Sequence, residues 1–174
     1  MMPTCKKQLF GAVLLCGFAV AVGSVWAGEK MEIVRNKVNK NDQYEVMLDD
    51  KSTGRMAFFL AYRGTYKQTK GGDLFDGVNE KGQGTGILLQ GNGTISGFNV
   101  DEKEGDSFRS EWSGECFSLK GPDGKPIGQC AGGVYVVPGT GTGRFAGLSG
   151  GGTFRGHALP NGDFAVEENL TVEK

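Results

Sequence analysis

The sequence predicts an all-β protein, an antiparallel eight-stranded β-barrel, with a β-sandwich as the alternative. Three observations lead to this fold class. Glycine contributes 31 of 174 residues, more than twice its usual share of about 7%. Short segments that alternate apolar and polar residues recur at even spacing, separated by Gly, Asn and Asp. None of these segments has the period of an amphipathic helix.

The first 27 residues have the pattern of a secretory signal peptide, which is removed from the mature protein. Lys6 and Lys7 precede an apolar run, and Ala27 ends a small-residue cleavage site. The alternative, a membrane anchor, needs about 20 apolar residues, more than this run provides. We therefore expect a secreted or periplasmic protein with no stable membrane span. Without Lys6 and Lys7 the formal charge of −1 becomes −3.

The remaining chain is expected to form one domain, because no linker divides it. Residues 28–41 are polar, and they predict either a mobile lead-in or a first edge strand. Residues 42–174 are expected to form the barrel, and the dipeptides at Asn92 and Asn161, each followed by Gly, predict hairpin turns. The predicted strands are Tyr44–Leu48, Arg55–Lys67, Gly84–Gln90, Thr94–Val100, Ser107–Ser113, Glu115–Leu119, Ile127–Val137, Gly143–Leu148, Gly151–Ala158 and Asp163–Val172.

Two cysteines, Cys116 and Cys130, remain after removal of the signal. An oxidising compartment favours their pairing, and the turn-rich segment between them would bring two strands side by side. A bridge that closes a loop of about 15 residues contributes about 3 kcal/mol in the chain-entropy model. A reactive or metal-binding pair is the alternative, but the spacing is not Cys-x-x-Cys and no His is near.

The strongest local signal is the segment Gly141–Gly150, which reads Gly-Thr-Gly-Arg-Phe-Ala-Gly-Leu-Ser-Gly. A phosphate-binding loop would have to open a helix after a strand, and the sequence here continues as strand. We therefore interpret the glycines as a tight turn followed by closely packed strands. Phe145 and Phe154 are the expected inward anchors of this region.

This segment resembles the G-T-G-x-F-x-G-x-x-G segment of the allene oxide cyclase and dirigent barrels, over Val134–Phe154. The stretch from Trp112 to Cys130 is similar to uncharacterised secreted bacterial proteins with this barrel. The resemblance implies an eight-stranded antiparallel barrel that is often trimeric in plants, so a homo-oligomer is one expectation. In plant members the interior binds a fatty-acid epoxide or guides radical coupling. No motif here matches their catalytic residues, so none is carried over.

The sequence contains no constellation typical of nucleophilic or metal-dependent catalysis, and we expect no cofactor and no metal. The single histidine, His157, lies in a glycine-rich strand-end context and is interpreted as an exposed loop residue rather than a catalytic base. The acidic segment from Asp101 to Asp106 is interpreted as a solvated hairpin loop rather than a calcium site. The absence of a basic excess argues against nucleic acid as a partner.

Any pocket is expected in the barrel mouth or interior, where polar groups interrupt aromatic walls. The candidate residues are Tyr62, Arg63, Tyr66, Arg109, Glu111 and Trp112. For the three charged candidates, we favour the alternative of an outer face in water, because antiparallel sheets commonly have one solvated face.

Three functions are compatible with the predicted β-barrel. A binding protein for a small apolar or amphipathic molecule predicts an apolar interior without convergent ionisable groups. An isomerase or cyclase-like enzyme predicts Arg or Glu directed inward beside Tyr or Trp. A structural interaction module predicts a solid barrel without a pocket. We favour binding, because no catalytic constellation is visible.

Overall fold

The computed structural model describes residues 29–121, 124 and 126–174. The expected signal peptide, residues 1–27, lies outside the described residues. Nine strands and one short 3-10 turn, Gly143–Phe145, form the described chain. The strands are β1 (Lys30–Asp50), β2 (Arg55–Thr65), β3 (Lys67–Lys70), β4 (Asn79–Leu89), β5 (Asn92–Lys103), β6 (Asp106–Lys120), β7 (Pro126–Val136), β8 (Ser149–Ala158) and β9 (Phe164–Glu173).

Eight of these strands close into an antiparallel ring, which confirms the predicted all-β barrel. The long strand β1 closes the ring, because Lys30–Asn39 pairs with β9 and Lys40–Asp50 pairs with β2. The ninth strand, β3, continues the line of β2 beyond Tyr66 and pairs with β1 beside Arg35. Alternate residues of every strand therefore point into one shared interior.

From Lys30 onward the polar segment 28–41 is part of the first strand, which is the second of the two predicted alternatives, and it is not a mobile lead-in. Residues Lys30–Asn39 pair with β9, and Lys40 and Asn41 pair with β2, so the barrel begins before residue 42. The alternate side chains Ile33, Arg35 and Lys37 of this segment are buried. Polarity did not prevent burial here, because the charged groups are paired with one another inside the barrel.

The hairpin turn between β4 and β5 lies two residues before the predicted position. Gln90 and Gly91 form the turn, with φ of 52° and 79°, the positive values that a type I′ turn requires. Asn92 is instead the first residue of β5, and its Oδ1 accepts a hydrogen bond from the backbone of Ser118 at 3.1 Å. The turn predicted at Asn161 does join β8 to β9.

One end of the barrel is closed by three aromatic rings, which we call the aromatic plug: Phe75, Phe108 and Phe145. The ring centroids lie 4.8–6.1 Å apart, and the side chains are at most 1% exposed. The predicted strand Gly143–Leu148 is wrong, because this segment loops over that end. The backbone N–H of Arg144 holds the loop by donating to Asp106 Oδ2 at 2.9 Å.

Alternate glycines on β4 make room for large rings inside the barrel. A Cβ on Gly84 would lie 2.6 Å from the ring of Trp112, and one on Gly86 would lie 2.7 Å from the ring of Phe58. These distances are shorter than real Cβ contacts, so only glycine allows the rings to reach this wall. The opposite wall carries Phe154, which is buried as predicted.

The predicted disulfide between Cys116 and Cys130 is present. The two cysteines are register partners on β6 and β7, with Cα atoms 4.0 Å apart. The flanking segments pair as strands on both sides of the turn, as expected. The bridge faces the interior near the end opposite the aromatic plug, which we call the open end.

Candidate functional site

A cluster of charged and polar side chains fills the middle of the barrel. We call it the interior polar network. All members are buried, since the alternation of their strands turns them inward. The members are Arg35, Lys37, Tyr62, Tyr66, Glu80, Asn99, Asp101, Ser110 and Glu168.

Glu168 is the centre of the ionic part of this network. Its Oε2 lies 2.7 Å from Nη2 of Arg35 and accepts a bond from Nε at 2.8 Å. Its Oε1 lies 3.3 Å from Nζ of Lys37. Burial alone would raise the pKa of Glu168, but Arg35 and Lys37 outweigh it and hold the pKa at about 2. The carboxylate is therefore ionised at neutral pH.

The ammonium group of Lys37 has an oxygen partner for each of its three protons. Its Nζ donates to the hydroxyl of Tyr66 at 2.7 Å and to Oε1 of Glu80, and it faces Glu168. The Tyr66 hydroxyl lies 2.8 Å from Glu80 Oε1 and 3.0 Å from Glu168 Oε1, and it has one proton to donate to either. Burial raises the pKa of Tyr66 well above its ordinary value of 10.

Arg35 connects the network to the aromatic plug. Its guanidinium carbon lies 3.6 Å from the ring centroid of Tyr66 and 4.7 Å from that of Phe75. Both distances are within the range of cation–π attraction. The carboxylate of Glu168 and the rings of Tyr66 and Phe75 therefore hold the Arg35 guanidinium in one position, which gives it a structural role.

A second arm of the network runs from Tyr62 to Asp101. The Tyr62 hydroxyl donates to Asn99 Oδ1 at 2.6 Å, Asn99 Nδ2 donates to Ser110 at 3.2 Å, and the Ser110 hydroxyl donates to Asp101 Oδ2 at 3.1 Å. Burial raises the pKa of Asp101 to about 7, although Arg35 opposes the shift. This carboxyl therefore changes protonation near neutral pH.

A cavity of about 340 Å³ extends from the network toward the open end. Its inner part is polar, and its walls are mostly aromatic and aliphatic. The polar lining consists of Lys37, Asn39, Asn41, Asn99, Asp163 and Glu168. The wall consists of Tyr44, Met56, Phe58, Leu60, Tyr62, Leu88, Ile95, Trp112, Phe154, Ala158, Phe164, Val166 and the Cys116–Cys130 bridge.

A larger recess of about 1260 Å³ runs along β1, and the buried side chains of Lys37 and Glu80 form its inner side. It is an open groove, and exposed side chains such as Arg63, Lys67 and His157 form much of its lining. Charges of both signs in water provide little binding energy. The smaller interior cavity combines apolar walls with buried polar groups, so we take it as the candidate site.

Three of the six predicted pocket residues lie inside the barrel, and three lie outside. Tyr62 and Trp112 line the cavity, and Tyr66 lies beneath it in the network. The other three, Arg63, Arg109 and Glu111, are exposed on the outer face and do not line the interior cavity. The outward alternative favoured for these charges is the arrangement that the structure has. His157 is also exposed, on β8.

Sequence reasoning missed the ionic centre of the site. Arg35, Lys37 and Asn39 alternate after the buried Ile33, a period-two pattern that marks one face of a strand. Because three of these residues are polar, the pattern resembled a solvated segment. Their partner Glu168 alternates in the same way with Val166 and Leu170 on β9.

Comparisons with known proteins leave the chain without an assigned family: no protein-family model matches it, and no curated protein does. In the part of the chain that the structure describes, no helix has the length and apolar character needed to cross a membrane. Within the same residues, no group of three His, Cys, Asp or Glu side chains is arranged to hold a metal ion.

Proposed function

We propose that this protein binds a small amphipathic molecule inside its barrel. The observation that carries the proposal is the interior cavity, whose walls are apolar and whose inner part is polar. Such a lining suits a ligand with an apolar body and one polar head. A solid barrel, expected for a purely structural module, would have no such cavity.

The size of the cavity limits the size of the ligand. A water molecule occupies about 30 Å³ in the liquid. The volume of about 340 Å³ therefore corresponds to roughly eleven groups of that size. A molecule with about ten non-hydrogen atoms, such as an eight-carbon chain with a polar head, would fit without expansion of the barrel.

The open end offers such a molecule an apolar entrance. The β1–β2 hairpin extends beyond the cavity, and Tyr44 and Val46 are about half exposed at its inner edge, at 51% and 44%. Tyr44 also lines the cavity. An apolar ligand would thus meet apolar surface before it enters the barrel, which reduces the cost of leaving water.

The test uses Trp112, which lines the cavity and shares the chain with only one other tryptophan, Trp26. In the full chain carrying Trp26→Phe, 1-octanol is titrated while Trp112 fluorescence is recorded. We expect a saturable change. Ala158→Phe adds a ring at the cavity mouth and should weaken the affinity for 1-octanol at least tenfold. The neighbouring substitution His157→Phe, at an exposed position that does not line the cavity, should leave the affinity unchanged. A non-saturable response, or equal responses in both variants, would refute binding in the cavity.

One observation favours a second candidate, an isomerase or cyclase-like enzyme. Glu168 lines the same cavity as Tyr62 and Trp112, and a carboxylate directed inward beside these rings is the arrangement expected for such an enzyme. The test recovers the molecule that co-purifies from the host and incubates it with wild-type protein or Glu168→Gln. Nuclear magnetic resonance monitors the molecule during the incubation. Conversion to an isomer by the wild type but not by Glu168→Gln would support catalysis. Recovery of unchanged molecule would support a binding protein.

Two further points belong to this proposal. A disulfide persists in oxidising compartments, so the Cys116–Cys130 bridge supports a secreted or periplasmic location. The closed ring of eight strands and the glycine-rich segment Gly141–Gly150 agree with the resemblance to allene oxide cyclase-like barrels. Fold does not determine function, so we do not extend an activity of that family to this chain.

A further inference from the structure

The recess along β1 has a charge opposite to that of the chain as a whole. Six Lys and Arg side chains line it, against three carboxylates, and one of these carboxylates, Glu80, is buried and paired with Lys37. Residues 28–174 together carry a net charge of −3. The recess therefore concentrates positive charge on an acidic protein, and a cleft of one charge attracts partners of the opposite charge.

Three of these cations lie directly opposite one another on neighbouring strands. Lys40 on β1 is the register partner of Arg63 on β2, and Arg63 is the register partner of Lys81 on β4. All three side chains are exposed on the outer face, and we call them the cation row. Neighbouring strands are about 4.8 Å apart, so the row spans about 10 Å. Like charges at directly opposite positions destabilise a sheet, so the row favours a partner that neutralises it.

The chain itself does little to neutralise the cation row. Arg63 Nε lies 3.0 Å from Asp42 Oδ1, but both side chains are well exposed, at 67% and 44%, and such a pair is weak. Among the described residues, no carboxylate oxygen lies within ion-pair distance of Lys40 or Lys81. Each of these charges alone binds a single ion weakly, whereas several at fixed positions bind a chain of anions together.

The uncharged lining of the recess indicates the class of this anion. Amide side chains line it at Asn36, Asn79 and Gln129. Thr65 donates to Asn79 Oδ1 at 2.9 Å, which leaves the Asn79 amino group and the Thr65 oxygen to bond a ligand hydroxyl. None of the described residues that line the recess is Phe, Tyr or Trp. Single-stranded nucleic acids are bound by stacking on such rings, so the lining favours a hydroxyl-rich anion instead.

We therefore propose that the recess along β1 binds an acidic polysaccharide, a chain of sugar units that carry carboxylates. The carboxylates pair with the cation row, and the sugar hydroxyls bond to Thr65 and Asn79. This partner is additional to the small molecule of the proposed function, because the cation row does not line the interior cavity.

The test titrates the full chain with an oligomer of six galacturonate units, followed by isothermal titration calorimetry. We expect saturable binding that weakens about tenfold or more when the NaCl concentration is raised from about 50 to about 200 mM, because binding releases counterions. Dextran, which is neutral, should not bind, and poly-glutamate of the same charge should bind at least tenfold more weakly because it lacks hydroxyls. The proposal is overturned if galacturonate does not bind. It is also overturned if dextran, poly-glutamate or single-stranded DNA of the same charge binds as tightly.

Two triple variants with the same change of charge locate the contact. The first carries Lys40→Gln, Arg63→Gln and Lys81→Gln, and its affinity for the galacturonate oligomer should fall about tenfold or more. The control carries Lys51→Gln, Arg55→Gln and Lys120→Gln, which are exposed cations outside the recess, and it should keep the wild-type affinity within about twofold. Circular dichroism checks that each variant is folded. Equal losses in the two variants would assign the binding to net charge and overturn the recess as its site. The wild-type comparison of ligands decides the class of partner even if a variant does not fold.

Discussion

Arg35 and Glu168 are register partners on the neighbouring strands β1 and β9, and their side chains meet inside the barrel with Nη2 2.7 Å from Oε2. A charged pair in this position is unusual because ions lose their hydration when buried. The pair is supported by Lys37 on the ionic side and by the ring of Tyr66, 3.6 Å from the Arg35 guanidinium. The interior therefore contains a preformed polar layer above which the cavity opens.

The first prediction concerns the cost of breaking this pair. Glu168→Gln leaves Arg35 and Lys37 without their shared carboxylate, and the loss of one partner of a buried pair costs about 3–5 kcal/mol. Glu167→Gln is the matched control, because Glu167 is the exposed neighbour on the outer face of β9. Urea denaturation should show this loss in the free energy of unfolding of Glu168→Gln. For Glu167→Gln the free energy of unfolding should change by no more than about 0.5 kcal/mol. Similar stability of both variants would contradict the structural role of the pair.

The second prediction concerns Asp101 and the pH dependence of stability. Its pKa is raised from 3.8 to about 7, so the folded state keeps a proton that the unfolded state loses between these values. The resulting stabilisation is complete below pH 3.8 and is lost as pH rises through 7. Asp101→Asn should therefore be more stable relative to wild type at pH 8 than at pH 4.

Urea denaturation at the two pH values measures this difference. The control is Glu102→Gln, which changes the exposed neighbour on β5. It should leave the wild-type pH dependence in place. If Asp101→Asn and wild type showed the same dependence on pH, the raised pKa of Asp101 would be wrong.

The third prediction concerns acid unfolding. The pKa of Glu168 is lowered from 4.5 to about 2, so its contribution to stability is present above pH 4.5 and is lost as pH falls toward 2. Wild-type protein should lose stability in this window, in addition to changes from other groups. Glu168→Gln has no such group and should show a shallower loss, measured as the urea midpoint between pH 5 and pH 2. Parallel curves for the two proteins would contradict the assignment.

The fourth prediction concerns the glycine wall. Gly84→Ala places a Cβ 2.6 Å from the Trp112 ring, so the ring or the strand must move. Overpacking of this kind costs about 1–3 kcal/mol. Gly133→Ala is the control, because the nearest atom to a Cβ there is 3.7 Å away. Thermal unfolding should separate the two variants, with a lower midpoint for Gly84→Ala only.

The sequence was sufficient for the class of fold, since alternation, turn dipeptides and cysteine spacing all depend on local patterns. The Cys116–Cys130 bridge and the inward positions of Phe145 and Phe154 were predicted correctly for this reason. The hairpin turn was misplaced because Asn92-Gly93 is a good turn by composition, whereas Gln90-Gly91 fits the register of β4 and β5. A shift of the turn by two residues leaves the inward and outward positions of both strands unchanged. The predicted fold class was therefore correct despite the misplaced turn.

The interior polar network was not predictable in the same way. Arg35, Lys37 and Glu168 resemble surface residues, and only tertiary contacts between β1 and β9 show that their charges are paired. The same limit applies to Arg63, Arg109 and Glu111, whose outward positions depend on the register of their strands. A buried charge needs a partner far away in the chain, and local patterns do not identify it.

The central claim, that the barrel holds a small molecule, is tested most directly by native mass spectrometry of protein purified from its own host. The account predicts a non-covalent adduct that survives in His157→Phe and is lost in Ala158→Phe, because only the second change obstructs the cavity mouth. A bare wild-type protein that also takes up no 1-octanol when the alcohol is added in excess would contradict the claim.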